Sequence, residues 1–413
     1  PMVEPRWADR LAALDRYVGD LAKHGGATER TSYRQDVYGA CRDAPTQPAI
    51  WACDSPVGTG KTTAIMAHLL SVAAAQGKRR IIVVLPYTNI IKQSVEVYRK
   101  ALVLPGEDPE AVVAEHHHQA EFSSPALRGM TTLWQAPITV TTAVQFFETL
   151  GSNTTARLRK LHALPGAAVF VDEMHAALPA WLWRQTWEWV RELAEDWSVH
   201  WVLASGSLPR FWRARDFVQE ACDIPDLIPD ELRERGRVYE GRRIEYRRIE
   251  QPLDREALLA RVTACDGPRI VIVNTVQTCA VLADDLRRQG KEVYHLSTAL
   301  TPADREVLVE RILTRLQDPS TDWTLIATSC VEAGMDFSFA TAFRERSTVA
   351  SLIQIGGRVN RHGERDHGVV WDFVIQDALC NYHPAFTTSR RVISDLFDEH
   401  KFEEASATSL VTE

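Results

Sequence analysis

Residues 55–63, Ser-Pro-Val-Gly-Thr-Gly-Lys-Thr-Thr, place two glycines, a lysine and four hydroxyls between an apolar run and a helical pattern. That combination suits phosphate binding. Gly58 and Gly60 let the backbone turn tightly and aim its N–H groups at anionic oxygens, and a helix starting near Thr62 adds a positive dipole end. Lys61 would reach the β- and γ-phosphates of a nucleotide, with Thr59 and Thr63 beside it, and the Thr62 hydroxyl would sit on Mg²⁺. Ser55 stands where the phosphate-loop pattern expects its first glycine. A second stretch, Ala-Ala-Val-Phe-Val-Asp-Glu-Met-His at 167–175, reads as an apolar strand ending in two carboxylates. Asp172 would hold Mg²⁺ through water and Glu173 would polarise an attacking water. Loop and carboxylates together predict nucleotide hydrolysis.

The second half carries chemistry of its own. Segment 351–363, SLIQIGGRVNRHG, contains Gln354, Gly357, Arg358 and Arg361 in a Q-x-x-G-R-x-x-R spacing. The three-residue interval predicts that Arg358 and Arg361 share one helical face and point at a γ-phosphate across a cleft. A guanidinium in that role is worth ~10³–10⁵ in rate. The pair Gly356–Gly357 has no evident use inside a helix, which favours a functional reading.

These residues need elements to hold them. With 413 residues, and ~150 per domain, two or three domains are expected. A composition 45% hydrophobic and 25% charged fits a soluble globular protein and excludes disordered and fibrous classes. Apolar runs are far shorter than the ~20 residues of a membrane helix, and no secretory signal opens the chain. The seven cysteines are scattered, so reduced thiols in the cytoplasm are expected, not disulfides or a cysteine zinc site. A formal net charge of −8 means that nucleic acid would have to be met by local basic grooves.

Short β-rich runs alternate with helical stretches, which predicts parallel α/β architecture. Strands are expected at 49–54, 80–85, 138–142, 167–171 and 199–204, then at 269–274, 292–296, 323–327 and 368–373. Helices are expected at 62–75, at 276–289 and after Thr301, which caps a helix opening on Pro302. The reading gives a first α/β domain with a helical lead-in (1–212), a linker (213–248), a second α/β domain (249–377) and a tail (378–413) with no fold expectation.

The phosphate loop, DEMH, Ser205-Gly206-Ser207, the Gly334/Asp336 segment and Q-x-x-G-R-x-x-R stand in the order of a superfamily 2 DExD/H helicase. Softer segments add detail: VLPYTNIIKQSVEVYR (84–99), EHHH (115–118), ITVTTAVQFFETL (138–150) and NTVQTCAVLADDL (274–286). They most resemble the CRISPR-associated helicase of type I systems, the helicase half of the helicase–nuclease, from about Tyr33 to Phe373. The resemblance implies two RecA-like parallel-sheet domains in tandem, with ATP and Mg²⁺ in the cleft between them. It implies 3′-to-5′ movement along single-stranded DNA in defence against foreign DNA. Gln35 resembles the adenine contact. Pro86, Thr88, Thr141 and Thr142 resemble strand contacts in the first domain, as do Asn274, Thr275 and Thr328 in the second. Gly334 and Asp336 resemble the segment joining nucleotide to strand, and Ser205 and Ser207 a coupling motif. Small hydroxyl residues suit phosphate contact, because they position a strand without reading bases. The residues themselves do not separate DNA from RNA, so an RNA-dependent helicase stays open. An ATP-switched clamp is the rival of another class; Glu173, Arg358 and Arg361 argue against it.

The family's nuclease uses a His-Asp pair among metal-binding histidines ahead of the helicase. Only about 32 residues precede Tyr33, with His24 their sole histidine. The expectation is a chain without a nuclease of its own, working with a guide-RNA effector complex and a separate nuclease chain, and with no membrane. His116–His118 are consecutive, so their side chains diverge and a loop near the strand is expected instead of a metal site. Trp181, Trp183, Trp187, Trp189, Trp197 and Trp201 read as core packing or as a docking surface. The Arg-rich run 233–248 is interleaved with Glu234, Glu240 and Glu245 and reads as a solvated linker, with phosphate contact the alternative.

Overall fold

Strands that are apolar at every position need cover on both faces, and a parallel sheet between helices supplies it. The computed structural model describes residues 3–24, 26, 28–56, 58–117, 129, 131–318, 322–332, 335–363, 365–380, 383–404 and 407–412. The chain divides into two units, residues 1–236 and 237–411.

The first unit holds β1 (Ile50–Asp54), β2 (Arg80–Leu85), β3 (Val113–His116), β4 (Ile138–Thr142), β5 (Ala167–Asp172) and β6 (His200–Ser205). All pair in parallel, in the order β1-β6-β5-β2-β4-β3. The open edge of β1 is closed by Asp226, which bridges Ala52, while Arg210 pairs with Asp226 at 2.8 Å. Helix Lys61–Gln76 is buried from Ala64 through Leu70 because helices Trp7–His24 and Glu29–Asp43 pack over it. A helix apolar nearly all round needs such double cover.

The second unit holds β7 (Ile244–Arg248), β8 (Arg269–Val273), β9 (Val293–Leu296), β10 (Thr324–Thr328), β11 (Thr341–Glu345) and β12 (Gly368–Phe373). They too are all parallel, in the order β7-β12-β11-β8-β10-β9. Thr301 caps helix Pro302–Leu316 by accepting from the Asp304 N–H, as its sequence predicts.

β3, β7 and β11 are not anticipated by apolar patterning, for physical reasons. β3 and β7 are outer strands, and β7 alternates buried and exposed residues. β11 lies inside the sheet but ends on buried Arg344 and Glu345, so no apolar run announces it. The stretch 213–248 therefore contains helix Asp230–Arg243 and strand β7. Residues beyond 377 form helices, of which Thr387–Asp398 packs Ile393 and Leu396 against Val349 and Leu410.

Asp372 on β12 is buried beside Arg346, 2.6 Å away. Burial pushes its carboxyl up to about 6, against the pull of Arg346. An unfolded aspartate releases its proton near pH 4, so the folded chain binds more protons between about pH 4 and pH 6. This group therefore favours folding at low pH, and that contribution is lost as pH rises through the window. Asp372→Asn cannot titrate. Its stability relative to the parent should shift in its favour by up to about 3 kcal/mol from pH 4 to pH 7, read by denaturant unfolding of the second unit. A pH-independent difference would remove the titration from Asp372.

Candidate phosphate-binding site

Strand register builds the site. Asp54 lies opposite Ser205, and Asp172 opposite Ala204, so the ends of β1, β6 and β5 meet at one sheet edge. The loop after β1 turns through Gly58 (φ 84°) and Gly60 (φ 82°), where a side chain would be strained. Ser55 is buried and hydrogen-bonds Thr59 through their hydroxyls at 2.6 Å, while Thr59 Oγ1 donates to the Pro56 carbonyl. That internal bond accounts for a serine where the pattern expects glycine. No side chain caps the helix that begins at Lys61, which leaves its positive end for an anion. Thr62 is its second residue.

Lys61 Nζ lies 3.1 Å from Asp172 Oδ1 and 3.5 Å from Glu173 Oε1. Burial works against its ammonium, but the two carboxylates outweigh burial and raise the Lys61 pKa. Burial dominates at Asp172 and raises it, whereas at Glu173 the charge of Lys61, with His175 and Ser205, outweighs burial and lowers it. Glu173 adopts a left-handed backbone (φ 49°), an uncommon conformation for a residue with a side chain. Ser205 Oγ donates to Glu173 Oε2 at 2.7 Å and accepts the Ser207 N–H at 3.0 Å. Ser205 thus touches the carboxylate directly, and Ser207 reaches it only through Ser205. Met174 is buried in the core, so the variable place in D-E-x-H is a packing position.

In the second unit, Asn274, Thr275 and Thr328 stand at the carboxyl ends of β8 and β10, adjacent strands. Thr275 caps helix Val276–Arg288. Helix Val349–Gly356 carries half-buried Gln354 and stops at Gly356, so Arg358 and Arg361 do not share a helical face. The backbone leaves the helix because Phe339 N–H donates to the Arg358 carbonyl and Asn360 N–H to the Phe339 carbonyl, with Asn360 left-handed at φ 44°. Arg358 instead donates to the Glu332 carbonyl at 3.2 Å, and Arg361 pairs with Asp336 at 2.8 Å. A loop, not a helix, brings Arg358 to Glu332 and Arg361 to Asp336. Gly356 does have a packing use: a Cβ there would run into the Tyr246 hydroxyl. Gly334 lies outside the described residues.

Two family descriptions match. "DEAD/DEAH box helicase" covers residues 40–213, and "CRISPR-associated nuclease/helicase Cas3, C-terminal" covers residues 266–364. The chain carries a DEAD/DEAH box helicase domain followed by a Cas3-like C-terminal domain. It is 23% identical to the CRISPR-associated nuclease/helicase Cas3 of Haloferax volcanii over 81% of this chain and 47% of that protein. The T. fusca Cas3 structure with AMPPNP shares the fold at TM-score 0.69 and 18% identity, over 91% of this chain and 51% of that one. A CRISPR RNA-guided surveillance complex before nicking contains a chain with TM-score 0.62 and 18% identity, over 89% of this chain and 48% of that one. The chain thus spans about half the length of these relatives.

Elsewhere in the first unit, other predicted residues are dispersed. Gln35 is exposed on helix Glu29–Asp43. Pro86 and Thr88 are half-buried after β2. Thr141 is fully buried, with its hydroxyl donating to the His116 carbonyl at 2.9 Å, and Thr142 caps helix Ala143–Gly151. Burial drops His116 to about 4, and His117 is buried against Glu115; His118 lies outside the described residues. Trp187 and Trp201 are core, and Trp183, Trp189 and Trp197 pack against it. Trp181 is 81% exposed. No helix among the described residues is long and apolar enough to cross a membrane.

Sequence reasoning missed Arg34, whose Nε donates to the Gly58 carbonyl at 2.8 Å, because no spacing rule links residue 34 to the loop. It also gave His175 no role. His175 lies 3.3 Å from Ser205 Oγ and 3.7 Å from Glu173, and burial lowers its pKa.

Lys61→Met should strand two neighbouring carboxylates in a buried place, costing the first unit about 3 kcal/mol at neutral pH. Adding Glu173→Gln should recover much of that loss. Strictly additive losses in denaturant unfolding of the three variants would show that the pair does not interact.

Proposed function

We propose that the chain is the motor of a cytoplasmic, ATP-dependent helicase or translocase, moving 3′ to 5′ along single-stranded DNA in CRISPR-type antiviral defence. The convergence of Lys61, Asp172, Glu173 and Ser205 at one sheet edge carries the hydrolytic part. The loop glycines, the uncapped helix start, the Thr62 hydroxyl and the Asp172 carboxylate fit a triphosphate with a divalent ion. Gln35 would meet the adenine. Mg²⁺, held by Thr62 and Asp172, would neutralise phosphate charge. Lys61 would exchange its carboxylates for phosphate oxygens. Ser205 would keep one Glu173 oxygen fixed while the other orients water.

Support for nucleic acid is the helicase description of both domains together with Pro86, Thr88, Thr141, Thr142, Asn274, Thr275 and Thr328 as backbone contacts. Gly334 and Asp336 would link that contact to the nucleotide. The likeness to a chain of a CRISPR RNA-guided surveillance complex supports delivery of the substrate by a guide-RNA effector complex; a separate nuclease chain would then make the cut.

Turnover without nucleic acid, with single-stranded DNA and with RNA of equal length tests the reading. Stimulation by DNA is expected; stimulation by RNA alone would favour an RNA helicase. Glu173→Gln should cut turnover by ~10²-fold or more while ATP still binds, since the water-orienting group goes and the cradle stays. Parent-like turnover would remove Glu173 from the chemistry.

We propose Arg358 and Arg361 as the cations that meet charge developing on the triphosphate, and Gln354 as their neighbour in that role. Arg358→Ala should slow turnover by ~10³-fold with little change in ATP affinity. A loss of affinity at unchanged maximal rate would make Arg358 a binding residue.

A further inference from the structure

Glu345 ends β11 with its carboxylate buried, a costly place for charge unless each oxygen is satisfied. Its Oε2 accepts the backbone N–H of Asn274 at 2.8 Å, and its Oε1 accepts from the Arg390 guanidinium at 2.9 Å. Arg390 belongs to helix Thr387–Asp398. Its Nε also donates to the Arg346 carbonyl at 3.0 Å, the same carbonyl that accepts Asn274 Nδ2 at 3.1 Å. Arg344 completes the enclosure by donating to Asn274 Oδ1 at 2.8 Å. Just past that turn, Gln277 Nε2 donates to the Leu379 carbonyl at 3.1 Å. Leu379 and Arg390 thus hold the turn after β8 from two sides.

Capping helix Val276–Arg288 needs only the Thr275 hydroxyl, which already accepts the Thr278 N–H at 3.1 Å. The additional bonds fix Asn274 itself: its N–H, its Oδ1 and its Nδ2 are all engaged, while the residue stays part-exposed at the sheet edge. Fixing a polar side chain at a surface is the device by which a protein prepares a contact before its ligand arrives.

We propose that helix Thr387–Asp398 presets the Asn274–Thr275 turn for the phosphodiester backbone of a single strand, with Arg390 as the positioning residue acting through Glu345. The ligand rests on the nucleic-acid reading above; the positioning does not. Strand affinity in the second unit then depends on where this helix sits.

Two measurements on the full chain separate the parts. Amide hydrogen exchange at Asn274 reads the bond to Glu345 without reference to function. The concentration of oligo-dT giving half-maximal stimulation of ATP turnover reads the contact. In Arg390→Met, exchange at Asn274 should rise ~10-fold and half-maximal oligo-dT several-fold, with ATP affinity and basal turnover unchanged. Arg390→Lys should restore part of both. Because Arg390→Met leaves Glu345 unpaired, Glu345→Gln serves as a second variant: it keeps an acceptor for the Asn274 N–H, removes the charge that holds Arg390, and should reproduce the rise in half-maximal oligo-dT. Faster exchange with unchanged oligo-dT dependence would reduce the helix to a strut and overturn the proposal. Unchanged exchange would overturn it at its first step. A parent chain indifferent to oligo-dT would sink the ligand assignment, and the exchange result would still decide the positioning.

Discussion

Two carboxylates side by side in a poorly solvated place repel each other by about 4 kcal/mol at an effective dielectric of ~20. The first unit holds Asp172 and Glu173 in that situation, and Lys61 makes it tolerable. Much of the local architecture serves that one balance. β1 must end beside β6 for the lysine loop to arrive. β5 must run one residue past its apolar run, and Glu173 must accept a left-handed backbone to turn its side chain toward the ammonium. Phosphate oxygens would offer Lys61 an equivalent anionic partner, so the ion pair and the proposed nucleotide would compete for the same cation.

The second unit handles charge at its own sheet edge by a network instead of a single cation. Arg344 pairs with Glu332 at 2.8 Å, Arg346 with Asp372, and Arg390 with Glu345. Each arginine also donates to backbone carbonyls or hydroxyls, so few buried donors are wasted. Such bonds are directional. They fix loops in place where apolar packing would only keep them near.

Legibility from sequence followed the physics of each element. β1, β2, β5 and β8 could be read because their burial on both faces demands apolar runs. The phosphate loop could be read because its glycines, lysine and hydroxyls are adjacent in sequence. β11 could not, since its Arg344 and Glu345 are buried by partners far along the chain. Nor could the contact between Arg34 and Gly58, or the turn that separates Arg358 from Arg361, which depends on a backbone bridge to Phe339. The six tryptophans stayed open between core and docking surface for a similar reason: spacing alone cannot tell that Phe211 and Trp212 supply the rings that Trp187 packs against.

The outermost pairing of the second sheet has a bearing on how the chain is made. β7 is the first strand of that unit and β12 the last, yet Ile244 lies opposite Gly368. As the polypeptide leaves the ribosome, β7 must wait unpaired until every other strand of its sheet has emerged. The first sheet is complete once β6 is out, well before that point. Vectorial synthesis therefore finishes the first unit early and leaves the second as one late, long-range closure, the slow kind of folding event during which an unpaired strand is exposed to other chains.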